Sequence, residues 1–140
     1  GDALLVPLRE RVRALSYGSR YAVRHTRIEL CTLGYRAGVI GAAMLARIGS
    51  GAFVVAMCIE GKGCSSEELA SLMAQCAVQG KSRVCFLIGG SDGLSDEVKR
   101  AADVRLSMSR MTFPHHLARV MVLEQIYRAF NINEGGKYHK

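Results

Sequence analysis

The 140-residue chain is 49% hydrophobic and 22% charged, which excludes an intrinsically disordered protein and predicts one domain over residues 1–140. Its apolar runs are far shorter than the roughly 20 residues that cross a bilayer, and no secretion leader is recognised, so we expect a cytoplasmic protein without a membrane partner. The net charge of +7 favours anionic partners, chiefly nucleic acid, although a basic protein without such a partner is the alternative.

The predicted elements of the N-terminal part alternate between helix and strand. Residues 8–17 form a basic amphipathic segment that is typical of a helix. Residues 26–33 alternate apolar and polar side chains as a strand does, and the alanine-rich residues 37–49 predict a second helix. Residues 52–59 are continuously apolar and rich in β-branched side chains, which predicts a strand covered on both faces.

The alternation continues through the next part of the chain. Ser65 and Glu68 have the spacing of a capping box and predict a helix start, and residues 83–88 predict a second buried strand. Ser95 precedes two acidic residues and starts a short helix, and residues 104–109 alternate as a strand. This order predicts an α/β domain with an open, mostly parallel sheet flanked by helices.

The last helix is predicted from near Pro114 to about Phe130, and its apolar residues occupy nearly the whole circumference. Arg119 lies alone on one side. The polar strip on the other side consists of Glu124, Gln125 and Arg128. A surface helix has a wider polar face, so we expect this helix to be covered by its own sheet and by a partner subunit.

A glycine-rich turn, "GGSDG" at residues 89–93, follows a predicted strand and precedes a helix, which is where open α/β sheets bind ligands. The turn is neither G-x-G-x-x-G nor a G-K-[ST] loop, so it does not indicate a dinucleotide or a nucleoside triphosphate. Asp92 would repel a phosphate, and an uncharged or cationic ligand fits better. A purely structural turn is the open alternative.

Other chemistry is sparse. The five cysteines contain no C-x-x-C pair, so we expect no zinc or other metal and a reduced cellular context. Ser107 and Ser109 lack partners for a hydrolase triad, and the aromatic residues are not interleaved with basic ones as in base-stacking modules. His115 and His116 are adjacent, so at most one serves a site, and a solvated pair is the alternative.

Three segments add a resemblance to a known family: "FLIGGSDGLSDEVKRAAD", "LSMSRMTFPHHLARVMVLEQIYRAF" and the final "YHK". In this order they resemble the RlmH family of SPOUT methyltransferases over roughly residues 51–140. The resemblance implies a C-terminal trefoil knot, a rare exception to unknotted topology, and a homodimer with its active site at the subunit interface. It also implies methylation of N3 of a pseudouridine in large-subunit 23S ribosomal RNA, on the assembled ribosome, with S-adenosylmethionine as methyl donor.

The resemblance assigns roles to individual residues. The expected contacts to the methyl donor are Met57, Gly89, Met108, Ser109, Arg110, Met111, Thr112 and Phe113. The expected contacts to the RNA substrate are Arg119, Arg128, Tyr138, His139 and Lys140. No general base is assigned, and the candidates are His115 and His139. Two alternatives stay open: Arg128 pairs with Glu124 one helical turn away, and Tyr138 packs or anchors the tail.

The chain departs from the family near its start. Residues 1–7 do not show the family's opening strand and glycine turn, so we expect that strand to be truncated or altered. Ile40 and Gly41 stand where the family commonly carries Glu-Gly, and both changes bear on ribosome docking more than on the methyl donor. The alternative functions are another SPOUT RNA methyltransferase, a non-catalytic RNA- or ribosome-binding protein, and a generic nucleotide-binding module.

Overall fold

The structure is a computed structural model that describes residues 27–32, 48 and 51–138. The predicted helix at residues 8–17 lies outside the described residues. Of the predicted helix at residues 37–49, Ile48 is described, and it is helical and buried. The predicted departures from the family at residues 1–7, Ile40 and Gly41 also lie outside the described residues. The same holds for the roles predicted for His139 and Lys140.

The described residues form four strands and three helices that alternate after the second strand. Their bounds are β1 Arg27–Thr32, β2 Phe53–Gly63, α1 Ser66–Val78, β3 Arg83–Ile88, α2 Asp96–Ala101, β4 Val104–Ser107 and α3 His115–Asn133. The strands pair in parallel in the order β1-β3-β2-β4. The predicted α/β class with a parallel sheet is therefore confirmed.

The two central strands are buried on both faces, which explains their continuous apolar sequence. In β2, Val55 packs with the layer that contains α1 and α3, whereas Val54 and Ala56 pack with the layer that contains α2. In β3, Phe86 belongs to the first layer and Leu87 to the second, and both are almost completely buried. Helices therefore cover both faces of the sheet.

The first layer buries the apolar sides of α1 and α3 against each other and against the sheet. Its helical members are Leu69, Ala70, Met73, Cys76, Ala118, Val122, Ile126 and Ala129. The all-round apolar character of α3 is explained only in part by this packing, because Leu117 and Val120 remain 48% and 53% exposed. A partner subunit over that exposed side stays a prediction.

Strand β2 is longer than the predicted residues 52–59 because it pairs with β4 twice. Met57 lies opposite Leu106, the register then shifts, and Lys62 lies opposite the same Leu106. The chain between Met57 and Lys62 therefore leaves the regular ladder and returns to it around one residue of β4. This local irregularity is not visible in the hydrophobic pattern of the sequence.

The ends of β4 and α3 also differ from the predictions. Strand β4 stops at Ser107 rather than Ser109, because the Ser107 hydroxyl donates a hydrogen bond of 2.9 Å to the carbonyl oxygen of Ser109 and closes a turn. Helix α3 continues past Phe130 to Asn133, and Gly135, with φ of +68°, ends it in the left-handed conformation that glycine adopts readily. None of the described helices is long and apolar enough to span a bilayer.

The capping box predicted for α1 is present in full. The Glu68 backbone N–H donates to Ser65 Oγ at 3.2 Å, and the Ser65 backbone N–H donates to Glu68 Oε2 at 2.8 Å. We expect Ser65→Ala to lower the free energy of unfolding by about 1 kcal/mol, because the Glu68 backbone N–H loses its side-chain acceptor, whereas the backbone N–H of residue 65 keeps Glu68 Oε2. Urea denaturation measures this, with Ser71→Ala at an exposed position of α1 as the control. Equal midpoints for the two variants would contradict the prediction.

Candidate functional site

A cavity of about 440 Å³ lies where the carboxyl ends of β2, β3 and β4 meet. This is the edge at which open parallel sheets bind ligands, and the volume is within the range of small-molecule sites. Four segments and Lys99 of α2 line it, the segments being residues 57–60 after the regular part of β2, residues 88–94 after β3, the β4 exit between residues 107 and 113, and the start of α3.

The glycine-rich turn after β3 forms one wall of this cavity. Its conformation requires glycine at two positions. Gly93 has φ of +74°, and its backbone N–H donates to the carbonyl oxygen of Gly90 at 3.1 Å. A Cβ on Gly89 would collide with the backbone of Gly93. The wall therefore presents bare backbone to a ligand, as the sequence predicts for a close-approach turn.

The exit of β4 forms another wall of the cavity and is held by local hydrogen bonds. The Ser107 hydroxyl bonds the Ser109 carbonyl, and the Met111 backbone N–H donates to Ser109 Oγ at 3.0 Å. These bonds fix a turn that brings Met108 and Phe113 to the cavity. Ser107 and Ser109 thus stabilise the backbone, consistent with the absence of a hydrolase triad in the sequence.

In the part of the chain that the structure describes, three charged side chains line the cavity: Glu60, Asp92 and Lys99. The Lys99 ammonium contacts Glu60 Oε1 directly and lies 3.7 Å from Asp96 Oδ1. The hydrogen bond from Lys99 holds the pKa of the Glu60 carboxyl below its usual value, and the same bond raises the pKa of Lys99. Both groups are therefore charged at neutral pH.

The Cys58 thiol also lines the cavity, and burial raises its pKa, with a further contribution from the nearby Glu60 carboxylate. A thiol with a raised pKa is protonated at neutral pH and is a poor nucleophile. Within residues 27–32, 48 and 51–138, no group of three His, Cys, Asp or Glu side chains is arranged to hold a metal ion.

The structure separates the two adjacent histidines. His115 lines the cavity at the first residue of α3, whereas His116 is exposed, although the two ring centroids are only 4.1 Å apart. His115 is therefore the candidate catalytic residue that lies at the cavity. The other candidate, His139, is not among the described residues.

All the residues expected to contact the methyl donor line this cavity except Arg110, which is exposed and outside the lining. Sequence reasoning missed Glu60 and Lys99. Lys99 has a recognisable signal, an acidic residue three positions earlier in the same helix, but its pairing with Glu60 depends on how the sheet brings β2 and α2 together.

A second cavity of about 600 Å³ lies between α1, α3 and the ends of β2 and β4. It shares Met57, Ser107 and Met108 with the first cavity, so these three residues separate the two spaces. Its other wall is the side of α3 that carries Val120 and Glu124.

The polar strip of α3 forms a hydrogen-bonded network beside the second cavity. Ser66 Oγ donates to Gln125 Oε1 at 2.7 Å, and Gln125 Nε2 donates to Glu124 Oε2 at 2.7 Å. Two N–H groups of Arg128 donate to Glu124 Oε1, at 2.6 and 3.1 Å. The alternative of a pair between Arg128 and Glu124 is therefore the arrangement found in the structure.

Tyr138 is held against the same surface of α3. Its ring meets Tyr127 edge-on at 5.1 Å between centroids, and the Arg128 guanidinium lies 4.9 Å from the Tyr138 ring centroid. Its hydroxyl donates to Glu124 Oε1 at 3.4 Å. These contacts are those of a tail anchor. Arg119 is half-buried, and its Nε has no hydrogen-bond partner in the part of the chain that the structure describes.

Comparison with known proteins identifies relatives over most of the chain. The family described as "Predicted SPOUT methyltransferase" matches residues 37–139. Three similar curated proteins are each named "Ribosomal RNA large subunit methyltransferase H". The one from Clostridioides difficile is 58% identical over 100 residues, that from Bacillus pumilus 54% and that from Clostridium novyi 51%. The aligned region is 71% of this chain in each case, and the chain spans 63% of the length of each relative.

Proposed function

Because the chain belongs to the SPOUT methyltransferase family, and within it to the RlmH branch, we propose that it methylates N3 of a pseudouridine in 23S ribosomal RNA with S-adenosylmethionine as methyl donor. In this proposal the protein acts in the cytoplasm, as a homodimer, on the assembled ribosome. The observation that carries the proposal is that the residues of the family's methyl-donor motif, Arg110 excepted, line a single cavity.

The cavity suits a molecule of this chemistry. Bare backbone at Gly89 and Gly93 allows a flat ring to approach closely, and Met108 and Phe113 offer apolar surface to an adenine. The loop provides no phosphate-binding motif, and the wall carries more carboxylates than ammonium groups, with Asp92 on the glycine turn. These features favour a cationic sulfonium compound over a nucleotide phosphate.

When bound, S-adenosylmethionine supplies an activated methyl group on its sulfonium, so the protein has to orient the reactants, exclude water and accept a proton. The glycine-rich turn and the β4 exit hold the two sides of the cavity in fixed positions through their own hydrogen bonds. His115 at the cavity wall and His139 are the candidates for accepting the N3 proton.

The trefoil knot of the family belongs to the same proposal. The segment from Met57 to Lys62 returns to Leu106 after leaving the sheet ladder. A Cβ on Gly61 would lie 2.6 Å from the carbonyl carbon of Leu106, so the two backbones are in close contact there. This contact places β2 close to β4 beside the cavity, and the knot itself rests on the family match.

The RNA contacts in the proposal are Arg119, Arg128, Tyr138, His139 and Lys140, with Arg128 and Tyr138 meeting RNA from the positions in which Glu124 holds them. The net charge of +7 supports an RNA partner, because positive side chains release the counterions of the phosphate backbone. The exposed Leu117 and Val120 support a second subunit beside α3, since an apolar helix face of this kind is normally covered.

Calorimetric titration with S-adenosylhomocysteine and ATP tests the cofactor assignment. We expect saturable binding of S-adenosylhomocysteine and no displacement of it by ATP. Displacement by ATP would favour a generic nucleotide-binding module. Failure to bind S-adenosylhomocysteine would favour a non-catalytic RNA- or ribosome-binding protein.

A further inference from the structure

We propose that Glu60 is a specificity-determining residue that makes the cavity favour the cationic methyl donor over its neutral demethylated product, S-adenosylhomocysteine. Lys99 sets the strength of this preference. The inference rests on the proposed function, because it concerns the same cavity and the same methyl donor. Neither residue is among the expected contacts to the methyl donor, although Lys99 lies in one of the segments that resemble the family.

Both residues occupy the wall of the cavity. Glu60 lies in the segment of β2 that leaves the sheet ladder, and its side chain is 51% exposed. Lys99 lies on α2, its side chain is only 19% exposed, and its ammonium contacts the Glu60 carboxylate. The pair therefore joins two walls of the cavity and places one charge of each sign beside the ligand space.

The charge balance of the wall that the described residues form is negative. Among residues 51–138, Glu60 and Asp92 contribute two carboxylates and Lys99 contributes one ammonium, which leaves one net negative charge. Asp96 and Arg105 are exposed and do not line the cavity. The Asp96 carboxylate lies 3.7 Å from the Lys99 ammonium, and the positive charge of Arg105 lowers the pKa of Glu60. The methyl donor carries a sulfonium charge that the demethylated product lacks. A wall with net negative charge therefore stabilises the methyl donor more than the product.

This arrangement predicts opposite effects for the two members of the pair. Glu60→Gln leaves Asp92 and Lys99, and the wall becomes neutral. Lys99→Met removes the ammonium that contacts Glu60, and the wall gains negative charge. If the pair only joined two walls mechanically, its loss would instead weaken the binding of both ligands by the same factor in both variants.

The experiment measures the dissociation constants of S-adenosylmethionine and S-adenosylhomocysteine by calorimetry. The quantity compared is the dissociation constant of S-adenosylhomocysteine divided by that of S-adenosylmethionine, and a higher ratio means a stronger preference for the methyl donor. We expect Glu60→Gln to lower this ratio by about threefold to tenfold and Lys99→Met to raise it by a similar factor, the effect of one partly solvated charge. Glu60→Asp keeps the charge and is expected to keep most of the ratio. Glu97→Gln removes an exposed carboxylate of α2 that does not line the cavity, and it serves as the matched control.

The wild-type protein provides a further test that needs no variant. The ratio is expected to fall as salt is raised from about 0.01 M to 1 M, because added ions screen partly solvated charges. A salt-independent ratio, or variants that weaken both ligands equally, would overturn the role of Glu60 while leaving the proposed function intact. Failure of the wild-type protein to bind either ligand would reject the proposed function and this inference with it.

Discussion

Gly89→Ala is expected to weaken binding of S-adenosylhomocysteine by about 5-fold to 150-fold, the effect of an overpacking cost of about 1–3 kcal/mol on the bound conformation. A Cβ at this position would collide with the backbone of Gly93, which cannot move away as a flexible side chain can. The turn must then open, and Gly90 and Gly93 lose the 3.1 Å hydrogen bond that shapes the cavity wall.

Calorimetric titration of the purified variant measures the loss, and far-ultraviolet circular dichroism shows whether the variant is folded. Gly63→Ala is the matched control, because nothing lies within 4 Å of a Cβ there and the residue does not line the cavity. Wild-type affinity in a folded Gly89→Ala variant would show that this turn does not hold the ligand.

Gly61→Ala is expected to lower the free energy of unfolding by about 1–3 kcal/mol, the usual range for overpacking a closely packed site. Its Cβ would lie 2.6 to 2.8 Å from backbone atoms of Leu106, where the returning segment of β2 meets β4. The backbone of Leu106 is held in the parallel sheet, so relief requires the two chain segments to separate.

Chemical denaturation of Gly61→Ala and Gly63→Ala provides a paired comparison, since the two glycines lie on the same strand. Gly63→Ala is expected to change the unfolding free energy by no more than about 0.5 kcal/mol, as is typical of exposed positions away from special features. Equal losses in the two variants would mean that the contact between β2 and β4 does not constrain the fold.

Sequence reasoning identified the elements whose signals are local. The apolar run of residues 83–88 predicts β3 to the residue, because a strand buried on both faces has a continuous apolar sequence. The spacing of Ser65 and Glu68 predicts the start of α1, because a capping box depends on neighbouring residues alone. The sequence predicts that α3 ends near Phe130, whereas the helix ends at Asn133. The difference arises because the chain leaves the helix at Gly135, which has a left-handed backbone conformation.

The non-local features could not be predicted from the pattern of the sequence. The second pairing of β2 with β4 depends on where Leu106 lies in the sheet, and the contact between Glu60 and Lys99 depends on the approach of β2 to α2. Seven of the eight residues that the resemblance assigns to the methyl donor line the cavity, because backbone-held ligand sites use a fixed local sequence. The uncharged-or-cationic ligand inferred from Asp92 stays a prediction, because Asp92 is itself the charge that is left in the described lining once Glu60 and Lys99 pair.

Transfer of a labelled methyl group from S-adenosylmethionine tests the proposed function most directly. The protein is incubated with ribosomes that lack the modification and, in parallel, with naked 23S ribosomal RNA. We predict label on N3 of a large-subunit pseudouridine in the ribosome reaction and none on the naked RNA. Binding of the methyl donor without any label on ribosomal RNA, or label on a different base, would contradict the assignment.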